Sequence, residues 1–379
     1  MTKTMTRSPE FTVLEPCLLL AFELGARSWK LGFTTGHEQR PRLRDVPAGA
    51  VDRVLEEVRR AKTRFGLAAD AAVVSCYEAG REGFWIHRWA VAQGWTNYVV
   101  DSSSIEVNRR ARRVKTDRLD LAGLLRLLAR AVQGEVGVWH VVRVPSESEE
   151  DARHLHRQRE TLQQERTRVI NRLRGLLTTQ GVAVAVRAGF LEQVATVRRW
   201  DGTPLPPGLT QRLRAGWAQL ASLTTQLAEV DAARAALPAD PATATGRWVT
   251  RLETLRGMGS IGAWTLTTEI FGWRQIRNGR ELGALVGLVP APYQSGATSH
   301  DQGITRAGNR HVRRLVVQLA WSWLRYQPTS ALSRWYRTRF DRGPRLRRIG
   351  LVALARKLLI AWWRYGDTGL VPEGAVLKA

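Results

Sequence analysis

Apolar and polar positions follow three different rhythms along the chain. From about residue 16 to residue 134, short apolar runs alternate with amphipathic segments, the pattern of strands and helices layered in an α/β domain. Residues 17–24 and 28–33 predict two strands meeting at Gly25, and 71–77 and 96–100 predict two more. Between and after them, 51–65, 84–93 and 117–128 predict helices. Residues 146–237 read as almost purely helical and highly charged. Leu213, Gly216, Leu220, Leu223, Leu227, Val230, Arg234 and Leu237 fall on heptad core spacing, and six of these eight are apolar, as an antiparallel or intermolecular coiled coil requires. Leu155, Leu162, Val169 and Leu176 carry a weaker seven-residue seam. The Gly- and Pro-rich stretch 201–207 predicts the turn of a helical arm, and 238–245 the linker out of it. From Trp248 to about Arg325 short helices and glycines dominate, followed by a basic tail. Four segments are expected: an α/β domain over 14–145, a coiled-coil arm over 146–240, a mainly helical domain over 241–330 and a basic helical tail over 331–379.

Charge narrows the choice of function. The 379 residues carry 58 Lys+Arg against 34 Asp+Glu, a formal +24, which favours a polyanionic partner over ordinary metabolic chemistry. Between Gly303 and Gly366 there are 15 basic residues and one acid, Asp341, so this segment alone contributes +14. Cys17 and Cys76 are too few for a disulfide framework or a cysteine-rich zinc site, and the seven histidines are scattered. The apolar run 17–22 is too short for a signal sequence or a span, and 349–363 is interrupted by Arg356 and Lys357. A soluble protein of a reducing cytoplasm is expected, with no membrane partner.

Four acids carry candidate chemistry. Glu23 ends the first strand, Glu78 follows the strand 71–77, and Asp117 and Asp120 stand at i and i+3 on the first turn of a helix, where they share one face. An RNase H-like domain would arrange its metal ligands in this way. Oxygen ligands suit Mg2+, and paired ions of this kind activate an attacking oxygen and stabilise a leaving one in phosphodiester chemistry. Asp117 is equally suited to interact with its helix dipole. Arg109, Arg110, Arg112, Arg113 and Lys115 crowd the approach to Asp117, as a phosphate-binding strip or a solvated loop would.

Leu255-Arg256-Gly257-Met258-Gly259-Ser260-Ile261-Gly262 reads as helix, glycine turn, helix. In this helix-hairpin-helix pattern Gly257 and Gly259 leave backbone N–H groups for a phosphate. Asn309, Arg310, Arg313 and Arg314 open a helix with an apolar inner face (Val312, Leu315, Val316, Leu319), its arginines expected outside as phosphate contacts. Trp321, Trp323, Trp335, Trp362 and Trp363 alternate with basic residues, a pattern that fits core packing better than base stacking.

These motifs together resemble the transposases of the bacterial insertion-sequence one-ten family, the bridge-RNA-guided serine recombinases, over essentially the whole chain. The matching pieces are Tyr77-Glu78-Ala79-Gly80, Lys115-Thr116-Asp117-Arg118-Leu119-Asp120, the hairpin at Leu255, Gly287-Leu288-Val289-Pro290, Ser295-Gly296 and Gly303-Ile304-Thr305-Arg306-Ala307-Gly308-Asn309. The resemblance implies a RuvC-like (RNase H-like) acidic domain, with Glu78, Asp117 and Asp120 as three of four metal ligands and Ser295 as nucleophile. Glu23, one methylene longer, stands for the family's usual first Asp. It further implies Mg2+, duplex DNA at element ends and target, a noncoding bridge RNA, and a composite active site in a homo-oligomer, a dimer that becomes a tetramer on nucleic acid. Arg306 joins the nucleic-acid candidates by its place in the last motif. Ser295 has no His within three residues; His300 is five away, and Ser299 is the nearest competing hydroxyl. The competing expectations are a metal-dependent junction nuclease with a structural Ser295, and a catalytically impaired nucleic-acid-binding relative.

Overall fold

The computed structural model describes residues 16–36, 39–104, 117–237, 243–295 and 298–378, with side chains at all of these except 103, 117–120, 244, 292–295 and 298–302. The chain divides into two compact units, Met1–Pro145 and Ser146–Ala379.

The first unit is built on a five-stranded sheet formed by β1 (Leu18–Leu24), β2 (Ser28–Thr34), β3 (Arg42–Pro47), β4 (Val73–Glu78) and β5 (Thr96–Val100), in the order β3-β2-β1-β4-β5. β1 pairs antiparallel with β2 and parallel with β4; β2 and β3 are antiparallel, β4 and β5 parallel. As the central strand β1 is covered on both faces, and it accordingly runs Leu-Leu-Leu-Ala-Phe without alternation. Leu18, Leu20 and Phe22 pack with α1 (Val51–Arg64) and α2 (Trp85–Ala92), while Leu19 and Ala21 pack with α3 (Asp117–Val132) through Leu121, Leu124, Leu125 and Leu128. β3 lies outside the strands expected from the sequence. Its Arg42 and Arg44 disguise it, yet Arg42 is 7 % exposed and pairs with Glu57 of α1 at 2.5 Å.

In the second unit α4 (Glu147–Thr178) starts at a capping box between Ser146 and Glu149. It forms a hairpin with α6 (Pro207–Ala236) around the short α5 (Phe190–Thr196). Contacts of Arg159 with Asp231 and of Arg172 with Gln219 give an antiparallel pairing. Of the two partners the heptad face could have taken, the structure therefore supplies the intramolecular one. Leu213, Gly216, Leu220, Leu223 and Val230 are buried on Leu162, Val169, Leu173 and Leu177 of the same chain. That face consequently gives no reason to expect a second copy of the protein.

The remaining elements are α7 (Ala244–Glu253), α8 (Ser260–Leu266) with a π-helical turn Thr267–Phe271, α9 (Gly279–Val286), the hairpin β6 (Pro290–Ser295) and β7 (Thr298–Ile304), α10 (Arg310–Tyr326), α11 (Ala331–Phe340) and α12 (Pro344–Thr368). The helices share one core, so the basic tail is not a separate layer. Trp323 and Trp362 meet edge to face with centroids 6.1 Å apart, and a Cβ at Gly366 would fall 1.7 Å from the Trp248 ring. Trp321 is the exception among the interleaved tryptophans, at 54 % exposed. Among the described residues no helix is long and apolar enough to cross a membrane.

The arm makes its closest helix approach at Gly216, where an added Cβ would lie 2.7 Å from Leu173 Cδ2. Gly216→Val is expected to cost about 1–3 kcal/mol through overpacking and to lower the melting temperature followed by helical circular dichroism. An unchanged transition would show that α4 and α6 can move apart without penalty.

Candidate active site and nucleic-acid interface

The period-two alternation of β1 and β4 assigns Glu23 and Glu78 to one face. Leu19, Ala21 and Glu23, like Val74, Cys76 and Glu78, lie on the side covered by α3. The parallel register runs to Phe22 opposite Tyr77, so the two glutamates occupy the next position on neighbouring strands, about 4.8 Å apart in backbone spacing. Glu23 is half-buried and lines a cleft with Arg27 and Lys30; Glu78 is exposed. Asp117 and Asp120 are the first and fourth residues of α3, one helical turn before Leu121 and Leu124, which pack on the sheet. The side chains of both aspartates lie outside the described ones, as do Arg109, Arg110, Arg112, Arg113 and Lys115 entirely. Among the described residues no three His, Cys, Asp or Glu side chains form a cluster able to hold a metal. The pair that is described supplies hard carboxylate oxygens, the donor type that suits a divalent cation.

Ser295 is the last residue of β6 and pairs with Thr298 across the hairpin; Ser299 is one register position away, opposite Gln294. No strands are expected here from the sequence, because Pro290, Pro292 and the polar run of β7 carry no strand pattern. The base of the hairpin is locked by two glycine positions. Gly287 ends α9 with φ 69°, and a Cβ there would lie 1.9 Å from Ala307 O; Gly308, with φ 86°, would clash with Leu285 O at 2.3 Å. Thr305 N donates to Val289 O, Asn309 N to Leu285 O, and Arg313 Nη1 to Val286 O at 2.9 Å. Arg306 between them adopts φ 56°, the one non-glycine in the left-handed region among the described residues. The Gly287 and Gly303 motifs are thus two halves of one backbone lock.

This corrects the expectation for α10. Arg313 does not face outward, since its guanidinium holds the lock, and Arg314, although exposed, bonds to Glu160 of α4. Arg306 and Arg310 remain exposed. Asn309 caps α10 by accepting from His311 N and Val312 N, while its Nδ2 donates to Glu269 Oε2 at 2.6 Å. Glu269 is 1 % exposed and is gripped by Arg157 of α4 through Nε at 2.8 Å and Nη2 at 3.0 Å. Burial acts to raise its pKa, but the hydrogen bonds and charge of Arg157, with Asn309 and His156, hold it below the usual carboxylate range. Glu160, three residues from Arg157 on α4, also accepts from His311. His156 Nδ1 is 3.1 Å from Thr265 Oγ1, whose own proton goes to Ile261 O, so the imidazole donates there. Burial lowers the His156 pKa against the opposing pull of Glu269 and Glu160. Sequence reading missed this network. Its one signal is that Glu269 is the only charged residue in the stretch 257–273.

At the glycine turn after α7, Gly257 has φ 90° and an added Cβ there would lie 3.0 Å from Tyr326 Cβ, and Gly259 caps α8. Ser322 Oγ donates to Gly257 O, and Lys378 Nζ donates to Met258 O. The turn is therefore held from below by α10 and the C-terminal strap. Among the described residues an exposed cationic surface lies at the α11–α12 elbow, where Arg339, Arg342, Arg345 and Arg348 are exposed and Asp341 is committed to Arg347 at 2.7 Å.

Comparison with known proteins shows the family to which the chain belongs. Residues 249–336 match the model of the IS116/IS110/IS902 family of transposases, and residues 45–180 match a DEDD transposase domain of IS110 type. The latter suggests a divalent-metal requirement. The chain is 39 % identical over 345 residues to y4rJ of Sinorhizobium fredii, described as a transposase, spanning 88 % of this chain and 86 % of that one. It is 31 % identical over 227 residues to the transposase for insertion sequence element IS1328 of Yersinia enterocolitica, spanning 59 % and 65 %. Against the transposase for IS1111A of Coxiella burnetii the identity is 26 % over 250 residues, 64 % of each chain. The protein is thus a transposase, an enzyme that cuts and rejoins DNA. It belongs to the IS110/IS116/IS902 family of insertion-sequence transposases.

His156 and Glu269 both have depressed pKa values, so the folded state binds fewer protons than the unfolded one and loses stability as pH falls. The melting temperature should begin to drop below about pH 6.5, the ordinary histidine value, and drop further below about pH 4.3. His156→Gln should remove the first step and keep the second. A wild-type melting temperature flat from pH 7 to pH 5 would overturn the assignment.

Proposed function

We propose that this transposase is a site-specific recombinase in which Glu23, Glu78, Asp117 and Asp120 hold Mg2+ in an RNase H-like domain and Ser295 is the nucleophile. The observation that carries the reading is the sheet order β3-β2-β1-β4-β5, with one parallel and one antiparallel neighbour for β1 and with adjacent glutamates ending β1 and β4. Leu121 supports the inclusion of α3. Its side chain covers Gly32, which pairs with Ala21, two residues before Glu23. The cation, when bound, supplies charge stabilisation for the phosphate oxygens and lowers the pKa of a coordinated hydroxyl.

Ser295 attacks the phosphorus of the scissile linkage. One P–O bond forms to the serine oxygen, one P–O bond to a deoxyribose oxygen breaks, and the proton lost by the serine passes by way of solvent or a carboxylate to the leaving deoxyribose oxygen, which departs as a hydroxyl. Bond order is conserved, so attack by the hydroxyl of another strand reverses the step and rejoins DNA with no external energy source. A bridge RNA that pairs with element ends and target, and a homo-oligomer whose active site joins the acidic domain of one subunit to the serine domain of another, complete the reading.

Duplex and RNA backbones are held in this reading by Arg306, Arg310, the turn at Gly257 and Gly259, and the basic strip 109–115. To these the exposed arginines of the α11–α12 elbow are added.

A labelled duplex incubated with the matching RNA and Mg2+ should give a protein–DNA adduct that survives denaturation, with Ser295 in the peptide left after proteolysis. Ser295→Ala should abolish adduct and recombination together, and Ser299→Ala should not. Asp120→Asn should reduce cleavage on the order of a thousandfold or more while DNA binding persists. Full cleavage by Ser295→Ala would favour the junction-nuclease reading.

For the interface, changing Arg342, Arg345 and Arg348 together to Ala should reduce the slope of log binding constant against log salt by about 1 per arginine that touches a phosphate. An unchanged slope would remove the elbow from the nucleic-acid surface.

A further inference from the structure

Glu269 is a buried ionised carboxylate that the strand-cleavage chemistry above does not use. Its two oxygens are fully engaged: Oε1 accepts from Arg157 Nε at 2.8 Å, and Oε2 accepts from Arg157 Nη2 at 3.0 Å and from Asn309 Nδ2 at 2.6 Å. Taking a carboxylate out of water costs several kcal/mol unless its partners are in good geometry, so the cluster strongly restricts where those partners can stand. Asn309 is the more consequential partner. Its backbone N–H is bound to Leu285 O, its side-chain oxygen caps α10, and it ends the loop that leaves β7. Thr305 N, directly after β7, donates to Val289 O, directly before β6, so the two ends of the hairpin are tied to each other. Leu285 and Val289 therefore hold the segment leaving β7 against the segment entering β6, and Asn309 is the point at which this lock is fastened to the core.

We propose that Glu269 is a positioning residue for strand cleavage: by gripping the Asn309 amide it fixes the lock beneath the β6–β7 hairpin and so sets where Ser295 meets the scissile phosphate. Arg157 extends the same constraint to the arm, since it lies on α4 and donates to both carboxylate oxygens, sharing Oε2 with Asn309. A displaced α4 would rotate Glu269 away from Asn309. The proposal rests on Ser295 being the nucleophile, and it adds that the geometry of that serine depends on a residue that never touches DNA. Misplacing a reacting group by about 1 Å costs on the order of a hundredfold in rate, so loss of the grip should appear in the chemical step and leave docking unchanged.

The test measures the single-turnover cleavage rate at saturating DNA, the DNA concentration giving half that rate, and the folded fraction by circular dichroism, all well below the melting temperature of each variant. Glu269→Gln preserves shape and leaves Arg157, whose side chain is 38 % exposed, to solvent. The rate per folded molecule should fall on the order of ten- to a hundredfold, with the half-saturating DNA concentration changed less than about twofold. The double variant Glu269→Gln with Asn309→Asp reverses the hydrogen bond: a Gln amide at 269 donates to an aspartate at 309 that still caps α10. It should cut faster than Glu269→Gln alone by about fivefold or more. A Glu269→Gln rate per folded molecule within twofold of wild type, or a reversed pair no faster than Glu269→Gln, would overturn the proposal. Ser295→Ala is assayed beside them: if it abolishes cleavage while Glu269→Gln cuts normally, only the positioning role fails, whereas normal cleavage by Ser295→Ala overturns the nucleophile and the positioning role with it.

Discussion

One buried charge organises the second unit. Glu269 is 1 % exposed, and an ionised carboxylate at that depth persists only where donors surround it. Arg157 must come from α4 and Asn309 from the start of α10, so three segments at least forty residues apart in pairs are brought to one point. Glu160 repeats the arrangement one turn along α4, taking His311 and Arg314. The arm is thereby fastened to the core by directional polar contacts as well as by apolar packing. Hydrogen bonds to a charged group are worth about 1.5–3 kcal/mol each and tolerate little displacement.

The motifs of the last third become intelligible as backbone geometry. Gly287 and Gly308 are glycines because the α9 terminus and the loop after β7 approach too closely for a side chain. Arg306 accepts an unfavourable φ within the same lock, and the guanidinium of Arg313 closes it by donating to Val286 O. Residues that look like a phosphate-binding signature in one dimension thus divide into two groups. Some of them build the platform for the serine hairpin, and others, such as Arg310, stay on its surface.

The same division applies to charge. A net +24 describes a polyanion partner without saying which cations meet it. Arg42, Arg157 and Arg159 are committed to carboxylates of their own chain, at Glu57, Glu269 and Asp231. The α11–α12 elbow, in contrast, presents several arginines with a single acid among them, and Asp341 is already paired. Nucleic-acid affinity is therefore expected to come from a smaller set of arginines than composition suggests.

The α/β character of the first unit with four of its five strands, the helical arm and the acids near the ends of β1 and β4 were legible in the sequence because each follows from local periodicity: continuous apolar runs for strands covered on both faces, heptads for the arm, strand-end positions for Glu23 and Glu78. Resemblance of the motifs also gave the transposase family. What periodicity does not carry is the identity of the partner. An apolar heptad face is satisfied equally by α4 or by another copy of the chain, and only the antiparallel hairpin decides for α4. β3 and the β6–β7 hairpin escaped because neither carries an alternation of apolar residues to announce it; β3 is held instead by cross-strand pairing and a buried ion pair, and the hairpin by its own cross-strand pairing. The Arg157–Glu269–Asn309 cluster escaped for the same reason in stronger form, since its members are distant in sequence and each alone reads as an ordinary polar residue. Local sequence determined the elements and their chemistry; the low dielectric of a closed core, where every buried charge must find its donors, decided which of them meet.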